Sequence, residues 1–243
     1  MKIIDAVWEK RNLGVSCVEI EIDKTDNVDS VIGEIRKRTE QYQVIKNCTG
    51  RTDISIAVQN EGFYYIETLF ETGRKLNGCP EPPDICKPFV KNIDYHIATD
   101  CEEQHVLEEI NSGNIFSTDR IALDPEFSRQ LAGQRYALWM KDVLSDDRAS
   151  MIISSYNGDD IGFSIHIDKG AYYDMLLGGL FHDWLESGLG FVNSYSGIMV
   201  AYEQGARKLK SHVSSNNFTM LRLHMLFGMQ VRSMTDNYIR HLK

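Results

Sequence analysis

Apolar and polar positions along this chain change period several times, and each period predicts an element. Val15-Ser16-Cys17-Val18-Glu19-Ile20-Glu21-Ile22 partly alternates and predicts a strand. Asp29 to Tyr42 carries Val31, Ile32 and Ile35 at helical spacing and predicts a helix. Asp53 to Val58 and Phe63 to Phe70 predict two strands around a Gln59-Asn60-Glu61-Gly62 turn. Three of the five prolines then fall in one stretch, Gly78-Cys79-Pro80-Glu81-Pro82-Pro83-Asp84. Proline removes backbone donors and disfavours helix before it, so this stretch predicts a linker near residue 85. The expected organisation is a small N-terminal α/β domain over 1–85 and a second α/β domain over 86–243.

The second part opens with helical segments at Glu102 to Ile110 and Glu126 to Val143. Ala149 to Ser155 and Ile161 to Ile167 flank Asn157-Gly158-Asp159, and Asn-Gly between apolar runs signals a hairpin. Asp174 to Phe181, an apolar run bounded by charge, predicts a central strand. A glycine-bearing loop follows at Glu186-Ser187-Gly188-Leu189-Gly190, then a helix to about Gln204 with Gly205 as its stop. Leu209 to Ser214 predicts a strand, and Asn217 to Phe227 a helix ending at Gly228. The order is β-β-β-loop-α-β-α.

Composition narrows the chemistry. Of 243 residues 42% are apolar and 25% charged, which predicts a soluble globular protein with a substantial core. The formal net charge of −9 disfavours nucleic acid and anionic membranes as partners. It leaves room for an anionic small ligand, because a nest of backbone N–H groups holds phosphate inside a negative protein. The five cysteines (Cys17, Cys48, Cys79, Cys86 and Cys101) form no C-x-x-C pair and are expected as free thiols in a reducing compartment. The N-terminus has no apolar run of signal-peptide length, so a cytoplasmic location is expected. The chain has no nucleophile elbow, P-loop or His-Glu-x-x-His helix. His96, Cys101 and His105 fit no common zinc spacing, so no metal is expected.

The element order, with these residues, resembles the GCN5-related N-acetyltransferase superfamily. Its cofactor motif, Arg/Gln-x-x-Gly-x-Gly/Ala between a central strand and a helix, is matched by Leu185-Glu186-Ser187-Gly188-Leu189-Gly190, with Leu185 in place of the basic or amide residue. Its next landmark, an Asn-led helix with an aromatic seven residues on, is matched by Asn217 with His224 at that position and Gly228-Met229 after it. Trp8 to Val15, Gly62 to Glu67, Thr118-Asp119-Arg120 and Arg135-Tyr136-x-x-Trp139 narrow the resemblance to the TDP-fucosamine acetyltransferase branch.

The resemblance implies a mixed central sheet flanked by helices, preceded by the small N-terminal domain. It implies acetyl-coenzyme A as cofactor and a 4-amino group on a nucleotide-linked dideoxyhexose, for surface polysaccharide, as acceptor. A homodimer is implied as well. The cofactor would be held by Gly188, Leu189, Gly190, Phe191 and Val192 at a helix N-terminus, with Asn217 toward the cofactor arm. Backbone N–H groups at Leu180 and Phe181 would polarise the thioester carbonyl. His224 stands where the family has a proton donor; it either acts as the acid or packs beside the cofactor sulfur. Asp174, His182 and Asp183, at the ends of the central strand, are candidates for the base or for acceptor contacts, or are solvated strand ends. Arg120 would meet a substrate diphosphate or form a salt bridge. Tyr136 and Trp139, one turn apart, contact a ring or pack in the core. Two other readings stand beside this one: acetylation of another amine (an aminoglycoside, polyamine or peptide), and a non-catalytic coenzyme A-binding module. A purely structural interaction protein would bind no coenzyme A.

Overall fold

The computed structural model describes residues 1–242; Lys243, the last residue of the expected second domain, lies outside the described residues. The elements are β1 (Lys2–Asp5), α1 (Val7–Leu13), β2 (Cys17–Glu21), α2 (Val28–Ile35), β3 (Tyr42–Cys48), α3 (Thr52–Asn60), β4 (Tyr64–Lys75), β5 (Ile93–Ile97), α4 (Asp100–Asn111), α5 (Arg129–Leu144), β6 (Ala149–Tyr156), β7 (Asp159–Asp168), β8 (Tyr173–Leu180), α6 (Gly190–Glu203), β9 (Lys208–Ser214), α7 (Phe218–Leu226) and β10 (Gln230–His241).

Local chemistry explains most boundaries. Asn27, Ser128 and Asn217 cap α2, α5 and α7 with their side-chain oxygens. Thr99 and Glu102 form a reciprocal capping box on α4. The β6–β7 hairpin turns on Asn157 (φ 54°) and Gly158 (φ 90°), the left-handed pair a two-residue turn requires.

Two expectations differ from the structure, and one strand lies where no element was expected. Asp53 to Val58 is helix α3, not a strand. Ile54 and Val58 lie four apart and are both buried, whereas Ile56, whose presence produced the false alternation, is 56% exposed. The helix expected to reach Tyr42 stops at Ile35, and Tyr42 begins β3. The polar segment 230–241 forms β10, with Tyr238 and Ile239 buried near its end. Backbone pairing carries that strand, since every residue but proline offers a donor and an acceptor whatever its side chain.

All ten strands form one sheet in the order β1-β2-β3-β10-β4-β9-β8-β7-β6-β5. The order shows two related halves. β2 and β3 are parallel and joined through α2; β8 and β9 are parallel and joined through α6. In each half a helix and one further strand follow. That further strand crosses to the other half: β4 pairs with β9, and β10 inserts between β3 and β4. The units expected over 1–85 and 86–243 therefore share a single sheet, with β10 and β4 exchanged at its centre. The proline stretch is the connection between β4 and β5.

Helices cover both faces. On one face α2 and α3 pack on Val18, Ile20, Ile45 and Tyr238, and α6 packs on Met175 and Leu209. On the other, α4 and α5 pack on Met151, Ile153, Phe163 and Ile165, and Ile121 and Ala132 meet Tyr42, Val44 and Ile239. We call these the α6 face and the α5 face.

Candidate functional site at the gap between β8 and β9

β8 and β9 pair over only three positions, Tyr173↔Leu209, Asp174↔Lys210 and Met175↔Ser211. Beyond them the strands part: β8 continues along β7 alone, and β9 along β4 alone. At the parting point β8 bulges. His166 pairs with Met175 and Ile165 with Leu177, so Leu176 has no partner in either neighbour. A bulge of this kind re-aims peptide groups out of the ladder. A cavity of about 800 Å³ passes through the gap, walled by Ser164, His166, Asn193, Ser194 and His224 on one side and by Glu67, Asp119, Tyr136 and Trp139 on the other. Asn193 anchors α6 beside it. Its Nδ2 donates to the carbonyl of Phe163 (2.6 Å), and its Oδ1 accepts from Ser154 Oγ (2.8 Å). Gly178 is required there: a Cβ would stand 3.0 Å from the Phe163 carbonyl oxygen and 3.3 Å from Asn193 Nδ2.

On the α6 face, the chain enters α6 through Gly188 (φ 76°), a left-handed position with open space around it. Leu189 occupies the N-cap and offers no side-chain acceptor. The Leu189 N–H goes to Ser187 Oγ and the Val192 N–H to the Leu189 carbonyl. The Gly188, Gly190 and Phe191 amides remain for a ligand, which is the donor set an anionic pyrophosphate needs. The expected phosphate loop thus fits an anion, although its residues lie outside the cavity wall. Phe191 and Val192 direct their side chains into the core. Asn217 lines the cavity while capping α7.

His224 also lines the cavity, with Nδ1 2.9 Å from Thr72 Oγ1. Burial lowers its pKa to about 4, so the ring is neutral near pH 7. Of the two readings for His224, proton donor or packed ring, a neutral ring suits the second. His166 is similarly buried, neutral by the same cause with a pKa of about 4, and neither ring nitrogen has a partner among the described residues.

On the α5 face, Asp174 is buried with Oδ1 unpartnered, and burial pushes its carboxyl up against the pull of His212 and Lys210. Arg120 is buried and committed within the protein: its guanidinium lies 2.5 Å from Glu19 and 3.8 Å from Glu9. Glu9 is fully buried and accepts a two-pronged bond from Arg135, while Lys46 reaches Glu19 at 2.6 Å. Of the two roles weighed for Arg120, a diphosphate contact or a salt bridge, the salt bridge is present and is buried. Tyr136 and Trp139 pack in the α4–α5 core, one of the two roles weighed for them, and both also line the cavity.

Two further placements differ. Leu180 pairs with Gly162, and the Phe181 amide donates to the Ile161 carbonyl (2.9 Å) while its ring packs against Phe163. Neither lines the cavity, whereas Leu176, at the bulge, does. His182 is exposed and away from the cavity wall.

The sequence reading missed Ser164, His166, Asn193, Glu67, Asp119 and Asn237 as lining residues, and Thr72 as the partner of His224. One signal was present: Gly162, Ser164 and His166 alternate with Ile161, Phe163, Ile165 and Ile167. That pattern reads as a solvated face, yet α6 covers it; a Cβ on Gly197 would stand 2.9 Å from His166 Nε2.

All five cysteines are free thiols. Among the described residues no His, Cys, Asp and Glu group is arranged to hold a metal, and no helix is long and apolar enough to cross a membrane.

No protein-family model and no curated protein matches the chain. Solved structures do resemble it in shape. A GCN5-related N-acetyltransferase from Sphaerobacter thermophilus aligns with a TM-score of 0.58 at 13% identity, over 82% of this chain and 59% of that one. The chain therefore spans under two thirds of that protein's length. A conserved protein of unknown function from Staphylococcus epidermidis aligns with a TM-score of 0.62 at 9% identity, over 93% and 84%. A GCN5-related N-acetyltransferase from Kribbella flavida aligns with a TM-score of 0.54 at 12% identity, over 92% and 80%. The chain has the fold of the GCN5-related N-acetyltransferases.

Proposed function

We propose that the chain is an acetyl-coenzyme A-dependent N-acyltransferase in which donor and acceptor enter from opposite faces of the sheet and meet between β8 and β9. The observation that carries this reading is the parted parallel pair: a bulged strand, an opening through the sheet, and a helix N-terminus with free amides beside it. Bound acetyl-coenzyme A would supply a thioester acyl group.

The Gly188, Gly190 and Phe191 amides hold the pyrophosphate. Peptide groups at Leu176, unpaired in the ladder and lining the cavity, would stabilise charge on an acyl oxygen held there. Asp174, with its raised pKa and free Oδ1, takes the proton that the acceptor ammonium must lose. His224 is neutral and positioned by Thr72, so it assists through a hydrogen bond. The wild-type rate and that of His224→Phe should accordingly share one pH profile between pH 6 and 8; a limb lost in the variant would restore His224 as the acid.

The resemblance makes the acceptor a nucleotide-linked amino-dideoxy sugar. With Arg120 withdrawn, the phosphate part of that reading has lost its residue, and the amine part stands.

The test is calorimetric binding of acetyl-coenzyme A to the full chain, with thiol release followed in the presence of amines. At ~100 times the dissociation constant a ligand stabilises by ~2.7 kcal/mol, a shift of roughly 5–10 °C for a chain of this size. Binding with amine-dependent thiol release supports the enzyme. Binding without release on any amine favours the non-catalytic module, and no binding overturns both.

A further inference from the structure

On the α6 face the cavity wall carries Ser164, His166, Asn193, Ser194, Ser211 and His224. Four of these have partners within the protein. Asn193 bonds to Ser154 and to the Phe163 carbonyl, and His224 Nδ1 meets Thr72. Ser194 Oγ donates to the Gly190 carbonyl (3.3 Å), and Ser211 Oγ to the Met175 carbonyl (2.8 Å). Ser164 Oγ and both ring nitrogens of His166 have no partner among the described residues, although Ser164 is only 5% exposed and His166 1%. Buried polar groups are ordinarily paired, so unpaired ones in a cavity wall point to a ligand that completes them.

The two side chains converge beside Gly197. The point that a Cβ on Gly197 would occupy lies 2.9 Å from His166 Nε2 and 3.2 Å from Ser164 Oγ, so a side chain there would cover both. Gly178, the partner of Ser164 in β8, adds no side chain over it either. His166 lies opposite Met175, the residue before the bulge, which puts it one strand spacing, roughly 5 Å, from the peptide groups at Leu176. The pair therefore stands on the donor's face of the sheet, within reach of a short acyl chain whose carbonyl sits at the bulge. An acetyl methyl carries no polar atom and would leave both groups unpaired.

The chemistry of the pair selects the missing atom. A serine hydroxyl donates and accepts, and a neutral imidazole has one nitrogen of each kind. His166 is neutral near pH 7, because burial lowers its pKa to about 4. The cations in the cavity wall, Lys46, Arg120 and Arg135, stand on the α5 face in ion pairs. A carboxylate on the acyl chain would find no counter-charge here, and a plain alkyl chain would make no hydrogen bond. A hydroxyl group donates and accepts, as the site does.

We propose that the acyl donor is the coenzyme A thioester of a short hydroxyacyl group, with its hydroxyl held by Ser164 and His166 beneath α6. This rests on the acyltransferase reading above. In the transfer the acceptor nitrogen loses a proton and bonds to the acyl carbon, the carbon–sulfur bond breaks, and coenzyme A leaves as the thiol. The hydroxyl is unchanged.

The test is calorimetry on the full chain with free coenzyme A and its butyryl, (R)- and (S)-3-hydroxybutyryl and succinyl thioesters. One 3-hydroxybutyryl enantiomer should bind at least about tenfold tighter than butyryl, ~1.4 kcal/mol, because two fixed groups and the carbonyl together select a hand. Ser164→Ala and His166→Leu remove polar atoms that hold no bond within the protein, so no partner is left short and both should fold. Each should lower the hydroxybutyryl-to-butyryl ratio at least about threefold, whereas a purely structural role would move both thioesters alike. Equal binding of butyryl and both hydroxybutyryl thioesters, tightest binding by the succinyl thioester, or a ratio unmoved in both variants overturns the proposal; free coenzyme A binding then leaves the acyltransferase standing. No binding by any of them, coenzyme A included, overturns both.

Discussion

The two parallel strand pairs have the same topology and opposite fates. β2 and β3 are paired along all five residues of β2, from Cys17↔Tyr42 to Glu21↔Lys46. β8 and β9 stay together for three positions and then part. The crossover helices differ in the same sense. At the start of α2, Asn27 Oδ1 takes the Asp29 and Ser30 amides. At the start of α6, Leu189 takes none, and the amides face outward. On the α5 face the charges contributed by β2 and β3 are paired, Glu19 with Arg120 and Lys46 at the cavity wall, whereas Asp174 at the start of β8 has a side-chain oxygen without a partner among the described residues. One topology thus serves as a closed scaffold or as a site, according to whether its own side chains satisfy its backbone and its charges.

The largest effect expected from breaking the comparison comes from the closed half. Glu9→Ala leaves two buried guanidinium groups short of a carboxylate, and should cost about 3–5 kcal/mol by chemical denaturation. An unchanged midpoint would show that the ion pairs do not hold that half together.

Acid should separate the halves in sequence. Burial holds His166 and His224 at about 4, below the ordinary 6.5, so the unfolded chain binds their protons first. Their contribution is complete above pH ~6.5 and is lost as pH falls toward ~4, on the order of 3 kcal/mol each. In the closed half, burial alone would raise Glu19, but Arg120 and Lys46 override it and hold the carboxyl at about 2. That contribution is complete above the ordinary value of ~4.3 and is lost only as pH falls toward 2. Hydrogen exchange on descending pH should therefore loosen β7 and α7 before β2 and β3. Simultaneous loosening would mean the two halves do not differ as described.

A pair of helix-start variants sharpens the contrast. Asn27→Ala should cost ~1 kcal/mol of stability with no change in coenzyme A affinity. Gly190→Asp should weaken coenzyme A at least about tenfold, ~1.4 kcal/mol, by placing bulk and negative charge at the free amides. Equal coenzyme A affinity in both would place the anion site elsewhere. The smallest effect is at Leu185, which is 40% exposed where the family motif has Arg or Gln. Leu185→Arg should tighten coenzyme A about two- to threefold, within the ~0.2–1 kcal/mol of an exposed charge contact, and a neutral result would mean the side chain does not face phosphate.

Much of the C-terminal half was legible because its signals are local. Asn157-Gly158 sets a turn, Asn217 caps a helix, and Gly188 adopts a left-handed conformation, each through its own covalent structure. The glycine loop accordingly falls at the uncapped start of α6, and Asp174 is buried at the start of β8. Arg120 was not legible, because the same residue is a free cation or half of an ion pair depending on Glu19, 101 residues away. The partner of the Phe181 amide, the Ile161 carbonyl, and the bulge at Leu176 were not legible either, since nothing in Asp174 to Phe181 announces them.

By itself, then, the amino-acid sequence determined the α/β class, the order of elements through the second half, the loop into α6 and the cap of α7. These depend on side-chain periodicity and backbone preference within a few residues. Only the tertiary structure decided that β10 and β4 exchange between the halves, that one parallel pair closes while the other opens, and that Glu67, Asn237 and Asp119 share a cavity with Asp174. Those outcomes depend on backbone pairing, which is blind to side chains, and on which distant charges meet, which no local stretch of sequence encodes.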